Sequence, residues 1–230
     1  MRIVFVRHGH PNYKLDRLTP LGHLQAEAAA ERLRDEGIER IYSSTCGRAL
    51  ETAEHTADRI GIPREEIVRC HFMRELHWGS RDGTPIFGKG SPWLTVDELE
   101  ATGGALDQKD YASLPPFDNN TVSSYVKTVT LGTDIWLEFL GYKREGDFYR
   151  VIKPSDRTVA MFSHSGSSTA LLSHLLGIPF PRAISAIRPN FTAITVIKFR
   201  GDKGDLIAPR IEILTDARHI ADVKEETPQN

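Results

Sequence analysis

The sequence predicts an α/β protein: a mostly parallel central sheet between two helical layers (α/β/α), with an inserted cap region. Two observations carry this. Short β-branched and aromatic runs alternate with helix-length amphipathic runs from the first residues onward. One stretch, residues 78–120, then breaks that alternation with Gly, Pro and Asp before it resumes. Long irregular stretches inside a compact domain are usually functional lids or disordered, and Trp78, Phe87, Trp93 and Phe117 argue against disorder. The expected organisation is one domain over residues 1–230, with 78–122 as its cap.

The elements follow in order. IVFV (Ile3 to Val6) is short, continuous and apolar, as a strand buried on both faces must be. A helix is expected from Pro20 to about Glu36, with Thr19 as N-cap, Pro20 at the first helical position and Gly37 as the stop. IERIYSS (Ile38 to Ser44) reads as a second strand. CGRALETAEHTADRI reads as a second helix, ended by Gly61 and Pro63, and EEIVRCHF as a third strand. Within the irregular stretch a short helix is expected around Val96 to Ala101. Beyond it come a helix from Val122 to Leu140, a buried strand TVAMFS (Thr158 to Ser163) and a helix from Ser165 to Leu176, stopped by Gly177. FTAITVIKF (Phe191 to Phe199) alternates like a strand, and RIEIL (Arg210 to Leu214) is expected to pair with it as a hairpin. The polar tail KEETPQN is expected to be mobile.

Composition narrows the function. The 230 residues carry 29 Lys and Arg against 31 Asp and Glu, a net charge of -2. That balance predicts no nucleic-acid or membrane-surface partner, so any basic site is local. Two cysteines, Cys46 and Cys70, form no disulfide framework and no CxxC pair. The apolar run before Arg7 is too short for a signal-peptide core. No apolar run approaches the roughly 20 residues that span a bilayer. The expectation is a soluble, cytoplasmic protein.

Three segments share one design: a buried strand, polar residues at its carboxyl end, then a helix. They are VRHGH, SSTCGRALETA and FSHSGSS. Ligands of open parallel sheets bind outside the carboxyl ends of the strands. Arg7, His8, Arg48 and His164, with Ser165 and Gly166, are therefore expected to meet at one edge. Arginine forks donate parallel hydrogen bonds to phosphoryl oxygens, and helix N-termini add backbone donors. Arg48 falls in the first turn of its helix, where a cation is locally unfavourable and calls for a compensating anion. Each residue alone fits a structural role. The repetition at three strand ends is what points to an anion site.

These segments resemble the histidine phosphatase superfamily, also called phosphoglycerate-mutase-like. RHG follows the N-terminal strand, and DRLTPLGHLQA matches the family's LTxxGxxQA helix entry. SSTCGRALETA matches SSxxxRAxxTA, RELHWG fits the acid-bearing segment, and FSHSGS fits the second-histidine strand end, with Ser165 where Gly is usual. The resemblance implies the phosphoglycerate-mutase-like fold and a metal-independent phosphomonoesterase of the histidine acid phosphatase type. His8 would be the nucleophile that forms a phosphohistidine. Arg7, Arg48 and His164 would hold the phosphoryl oxygens. Gly9 would keep space beside His8 and fix its tautomer through its carbonyl, with Ser165 also on the substrate. Glu75 would be the general acid and base. An unperturbed histidine would be near half-neutral around pH 6.5. No metal and no cofactor are expected, since arginines supply the positive charge. His8, His10, His77 and His164 show no HExxH or HxH-plus-carboxylate spacing.

The mutase branch follows RHG with Glu and Ser and has Asn six positions after the nucleophile. This chain has His10, Pro11 and Lys14 there. Hydrolysis of a small phosphorylated metabolite is therefore the favoured function. Phosphoglycerate-mutase-type transfer and a non-catalytic phosphoryl-binding domain are the alternatives, and a dinucleotide binder lacks its GxGxxG. Trp78, Phe87 and Trp93 are candidates to line the cap, with Lys14 or Arg81 meeting a second anionic group. The expected partner is a small phosphate monoester, and the fold is compatible with a homodimer.

Overall fold

The computed structural model describes residues 1–223; the expected mobile tail, from Lys224 on, lies outside them. Eleven strands and seven α-helices follow one another in the described residues. First come β1 (Arg2–Arg7), β2 (Pro11–Asn12), β3 (Arg17–Leu18), α1 (Pro20–Leu33), β4 (Ile38–Ser44), α2 (Gly47–Ile60) and β5 (Val68–Cys70). The irregular stretch holds α3 (Pro92–Ala101) and α4 (Pro115–Asp118). After it come α5 (Val122–Phe139), β6 (Tyr142–Glu145), β7 (Phe148–Val151), β8 (Thr158–Ser163), α6 (Ser165–Leu176), α7 (Phe180–Ala186), β9 (Ile194–Lys198), β10 (Leu206–Ile207) and β11 (Arg210–Asp216).

Six strands form the central sheet in the order β11-β9-β1-β8-β4-β5. β1, β8, β4 and β5 are parallel; β9 runs antiparallel to both β1 and β11. The predicted fold class is the observed one. Alternate residues of β1 serve opposite faces, as the period of a strand requires. Ile3 and Phe5 pack with Met161, Leu171, Leu175 and Ile184 on the side of α5, α6 and α7. Val4 and Val6 pack with Leu33, Ala53, Ala57 and Phe162 on the side of α1 and α2. All four β1 side chains are buried, and each contributes about 1.5–3 kcal/mol of transfer free energy. That two-sided burial is why IVFV is apolar without alternation.

Several boundaries differ from expectation. α1 stops at Leu33 rather than Glu36: Arg34 and Glu36 already bond at the tighter i→i+3 spacing, and Gly37 takes its positive φ of 67° after a short turn. The third strand keeps only Val68–Cys70, because tight helical turns bracket it at Arg64–Glu66 and His71–Met73. β11 does pair with β9, but the link between them is no simple turn. It detours through β10, which adds to β7 in a separate three-stranded sheet with β6.

The irregular stretch is packed. Val96, Leu99, Leu106 and Phe117 are buried in the same cluster as Trp136, Phe180 and Ile184. Its ends are clasped: Thr121 N donates to Gly79 O, Arg81 N to Asn119 O, and Ser80 bridges Asn120. Among the described residues, no helix is long and apolar enough to cross a membrane.

Candidate active site

Register explains why the three strand ends meet. Arg7 pairs with Ser163 across β1 and β8, and Ser43 pairs with Phe162 across β8 and β4. Thus His8, His164 and Ser44 leave the sheet at one level. The rings of His8 and His164 stand edge to face with centroids 5.1 Å apart. Arg48, at the second position of α2, reaches His8 through its Nε, 3.2 Å from Nε2. All three side chains are buried.

The tautomer of His8 follows from its partners. Nδ1 lies 2.7 Å from the carbonyl oxygen of Gly9. A carbonyl only accepts, so Nδ1 carries the hydrogen and Nε2 keeps its lone pair. That lone pair accepts from Arg48 Nε. Burial, helped by the fields of Arg48 and Arg7, pushes the imidazole down to about 3, against the opposing pull of the Gly9 bond. His8 is thus neutral throughout the physiological range, not half-neutral at pH 6.5 as its unperturbed value suggests. His164 is also held well below the usual histidine range, first by burial and then by its charged neighbours. Its Nε2 hydrogen-bonds Ser44 Oγ at 2.8 Å, while its Nδ1 is buried without a partner among the described residues.

The motifs beside these residues are largely scaffolding. The backbone N–H of His8 donates to Ser163 O, that of Gly9 to Thr52 Oγ1 (3.1 Å) and that of His10 to Gln25 Oε1 (2.8 Å). Thr19 caps α1 by accepting from Gly22 N, and its hydroxyl lies 2.9 Å from His10 Nδ1. Gln25 is buried against this loop. Gly9 and Gly22 are needed for close approach between the loop and α1. A Cβ on Gly9 would lie 2.5 Å from Gly22 O, and one on Gly22 would lie 2.2 Å from His10 O. The room that Gly9 keeps is therefore for α1 rather than beside the His8 ring.

Two carboxylates cap two helices from a distance. Neither Cys46 before α2 nor His164 before α6 caps its own helix by side chain. Asp16 Oδ2 accepts from Gly47 N at 2.8 Å, and its Oδ1 pairs with Arg48 Nη1. This is the anion that Arg48 called for, and it lies in a loop the sequence did not single out. Glu75 Oε1 accepts from Leu76 N (2.9 Å) and from Ser167 N (3.2 Å) in the first turn of α6. Burial raises its pKa, against the opposing pull of those N–H groups and of Arg48 and Arg7. Gly166 admits it: a Cβ there would lie 2.6 Å from Glu75 Oε1. Ser165 is buried at the first position of α6.

Arg7 donates through Nη1 to Pro189 O (2.7 Å) and stacks over the ring of Phe191 at 4.2 Å. Its Nε is buried without a partner among the described residues. Phe191 also packs on His8 and His10. It enters the site as a ring from the loop before β9, where the sequence suggested only the start of a strand. A cleft of about 420 Å³ opens at this edge, lined by Tyr13, Asp16, Arg48, Arg74, Glu75 and Trp78 among others. Trp78 reaches it, as anticipated, with Trp93 packed edge-on behind it at 5.3 Å. Lys14, Phe87 and Arg81 do not line it.

A family model, histidine phosphatase superfamily (branch 1), matches residues 3–88. That span holds Arg7, His8, Arg48 and Glu75 in the order found at the sheet edge. Over that span the chain is similar to the histidine phosphatase superfamily. A relative named probable phosphoglycerate mutase GpmB, from Yersinia enterocolitica, is 26% identical over 209 residues, covering 87% of this chain and 86% of the relative. Among solved structures, a mycobacterial glucosyl-3-phosphoglycerate phosphatase with inorganic phosphate superposes with a TM-score of 0.65 at 22% identity, over 96% of this chain and 99% of that one. A phosphoserine phosphatase from Entamoeba histolytica gives 0.62 at 21%, over 95% and 98%. At such identities the two structures share their fold with this chain.

Proposed function

We propose that the protein is a metal-independent phosphomonoester hydrolase that works through a phosphohistidine on His8. The observation that carries this is the buried, neutral His8, whose Nδ1–H is tied to Gly9 O so that Nε2 presents a lone pair toward Arg48. The orphaned Nε of Arg7 and Nδ1 of His164 support the same reading. A buried polar atom without a partner costs about 1–3 kcal/mol, which an arriving phosphoryl oxygen would relieve.

In this mechanism the phosphoryl group draws Arg48 off His8 Nε2 and onto its own oxygens. Nε2 attacks phosphorus as the ester P–O bond breaks, and Glu75 passes its proton to the leaving oxygen. Water then attacks the phosphohistidine, giving its proton to Glu75, and the P–N bond breaks to release phosphate and His8. A Glu75 pKa raised by burial suits the acid half of that cycle. Arg7, Arg48 and His164, with Ser165 at the start of α6, surround the group in flight. Residues 78–122 serve as a cap over the leaving group, on the same domain. The named activities of the superfamily relatives, on phosphoserine and glucosyl-3-phosphoglycerate, support a small phosphorylated metabolite as substrate.

The GpmB-type relatives favour a second reading, phosphoryl transfer between positions of one acid. His10, Pro11 and Lys14 after the nucleophile count against it. The test is hydrolysis of p-nitrophenyl phosphate with a chelator present, wild type beside His8→Ala. The expected result is turnover in wild type and a loss of at least about 10³-fold in the variant. Undiminished turnover in His8→Ala would overturn the covalent mechanism. Transfer that needs a bisphosphate primer, without net phosphate release, would establish the mutase.

A further inference from the structure

The loop before β9 does more than supply a ring. Pro189 O accepts from Arg7 Nη1 at 2.7 Å, and the Phe191 ring lies under the same guanidinium at 4.2 Å. One residue on, the backbone N–H of Thr192 donates to His8 O at 3.3 Å, and Ala193 O accepts from Arg7 N at 3.2 Å. Residues 189–193 are therefore the seat of Arg7, fastened to the strand end that carries His8.

That seat depends on an unfavourable backbone. Thr192 has a φ of 55°, in the left-handed region. A β-branched residue is rarely found there, and such a conformation persists only where its surroundings over-determine it. Thr192 is buried, so water does not do the holding. Its hydroxyl hydrogen goes to Phe191 O at 2.8 Å, which leaves Oγ1 as an acceptor. The atom that faces it is His219 Nε2, at 3.0 Å. The hydrogen of that contact therefore sits on the imidazole, and His219 donates.

His219 is delivered from the other end of the sheet's edge. β11 ends at Asp216, and a short helical turn, Arg218–Ile220, sets the ring against Thr192 and packs on α1. Thr215, at a φ of 50°, is a second strained threonine on this path, and its N–H donates to Thr195 Oγ1 at 3.0 Å. Strained residues thus stand on both sides of the contact between this turn and the loop. The ring itself takes no part in the proposed chemistry.

We propose that His219 is a positioning residue: its hydrogen bond to Thr192 Oγ1 holds residues 189–193 in the conformation that aims Arg7 at the phosphoryl group. Without the bond, Thr192 relaxes toward negative φ, the Phe191 ring and the Pro189 carbonyl shift, and the guanidinium loses its fixed aim. The inference rests on the phosphomonoesterase reading for what Arg7 holds, but not on turnover.

The test is calorimetric binding of inorganic phosphate, beside hydrolysis of p-nitrophenyl phosphate. His219→Phe keeps a ring but removes the donor, and is expected to raise Kd for phosphate about tenfold, the worth of one hydrogen bond. Thr192→Val removes the acceptor and keeps the branched shape, so it should give a similar loss, and it decides the matter should His219→Phe fail to fold. His219→Gln, whose amide still donates, should stay within about threefold of wild type. Thr192→Gly takes a positive φ unaided. It too should stay within about threefold, and His219→Phe added to it should cost less than about twofold more. Wild-type Kd in His219→Phe or in Thr192→Val overturns the proposal, whatever happens to the urea midpoint, because the contact would then only stabilise the fold. So does a loss in His219→Gln equal to that in His219→Phe, a full His219→Phe loss in the Thr192→Gly background, or no phosphate binding by wild type. If wild type binds phosphate but releases none from p-nitrophenyl phosphate, the hydrolase reading alone fails, and the same Kd comparisons still decide the role of His219.

Discussion

At the carboxyl ends of β1, β4 and β8, His8, Ser44, Arg48, Thr52 and His164 are buried and bonded to one another or to the loops around them. In residues 79–121, one buried amide and a set of exposed ion pairs share the work. Asn120 donates to Gly90 O at 2.8 Å and accepts from Val122 N at 2.9 Å. Arg182 pairs with Asp107, and Arg188 with Asp97, at half-exposed positions. A buried network fixes geometry because every broken bond exposes an unsatisfied group. Exposed pairs contribute about 0–1 kcal/mol each and leave their segment freer to shift. The first region is thus held more tightly than the second, a division that suits the proposed hydrolase, with its reacting groups fixed and its cap adjustable.

The sharpest way to break this comparison is at the carboxylate that touches the rigid region. Glu75→Gln is expected to lower kcat for alkyl phosphates by about 10²–10³-fold, since general acid catalysis supplies factors of that order. With p-nitrophenyl phosphate, whose leaving group hardly needs a proton, the loss should stay below about tenfold. Gly166→Ala should reproduce part of the split with the Glu75 carboxyl still present, because its new methyl would meet Glu75 Oε1 and displace it. Equal losses on both ester classes would remove Glu75 from the acid role.

A smaller effect is expected at Asp16. Asp16→Asn keeps the side chain's shape but removes the charge that holds Arg48 and caps α2. A charge-assisted hydrogen bond contributes about 1.5–3 kcal/mol, discounted here because Asp16 is partly exposed. The expected fall in kcat/KM is therefore about tenfold. If Arg48 is merely mispositioned, KM should rise and Arg48→Ala should add little further loss in the double variant.

The buried histidines set a pH dependence of stability. Both have folded-state pKa values below the unfolded value near 6.5. Between about pH 6.5 and the lowered values the unfolded chain binds more protons, so stability is fully present above pH 6.5 and is lost as pH falls below it. Each histidine contributes a slope of up to about 1.4 kcal/mol per pH unit. Urea unfolding at pH 7.5, 6.5 and 5.5 should show the drop, and the drop should shrink in His164→Ala. A pH-independent midpoint across that range would mean that the two rings are charged or solvated in the native state.

The two regions were also unequally legible in the sequence. The strand ends were readable because parallel register turns three short motifs into one place, and the motif residues act locally. Thr19 caps, Gly22 gives way and Arg48 opens a helix. Asp16 and Gln25 escaped because their partners are backbone N–H groups more than ten residues away, and spacing along a chain says nothing about that. Arg48 at a helix start was the available signal for Asp16. Phe191 escaped because an aromatic before a strand looks like core. In residues 79–121 only α3 was anticipated, and then only its second half, since Gly88 and Gly90 hold positive φ in a turn that no periodicity marks.

The least effect should come from the exposed pairs, and it isolates what fastens residues 79–121. Asn120→Ala leaves Gly90 O and Val122 N without their buried partner, at a cost of about 1–3 kcal/mol. Arg182→Gln removes an exposed pair to Asp107 and should cost less than about 1 kcal/mol. For a chain of this size the corresponding shifts in Tm are about 2–12 °C and less than about 4 °C. Urea unfolding of the two variants measures the difference directly. If Arg182→Gln costs as much as Asn120→Ala, the surface pairs form a cooperative network and the segment is as rigid as the strand ends. If both are near zero, the apolar contacts of Val96, Leu99 and Phe117 hold it alone.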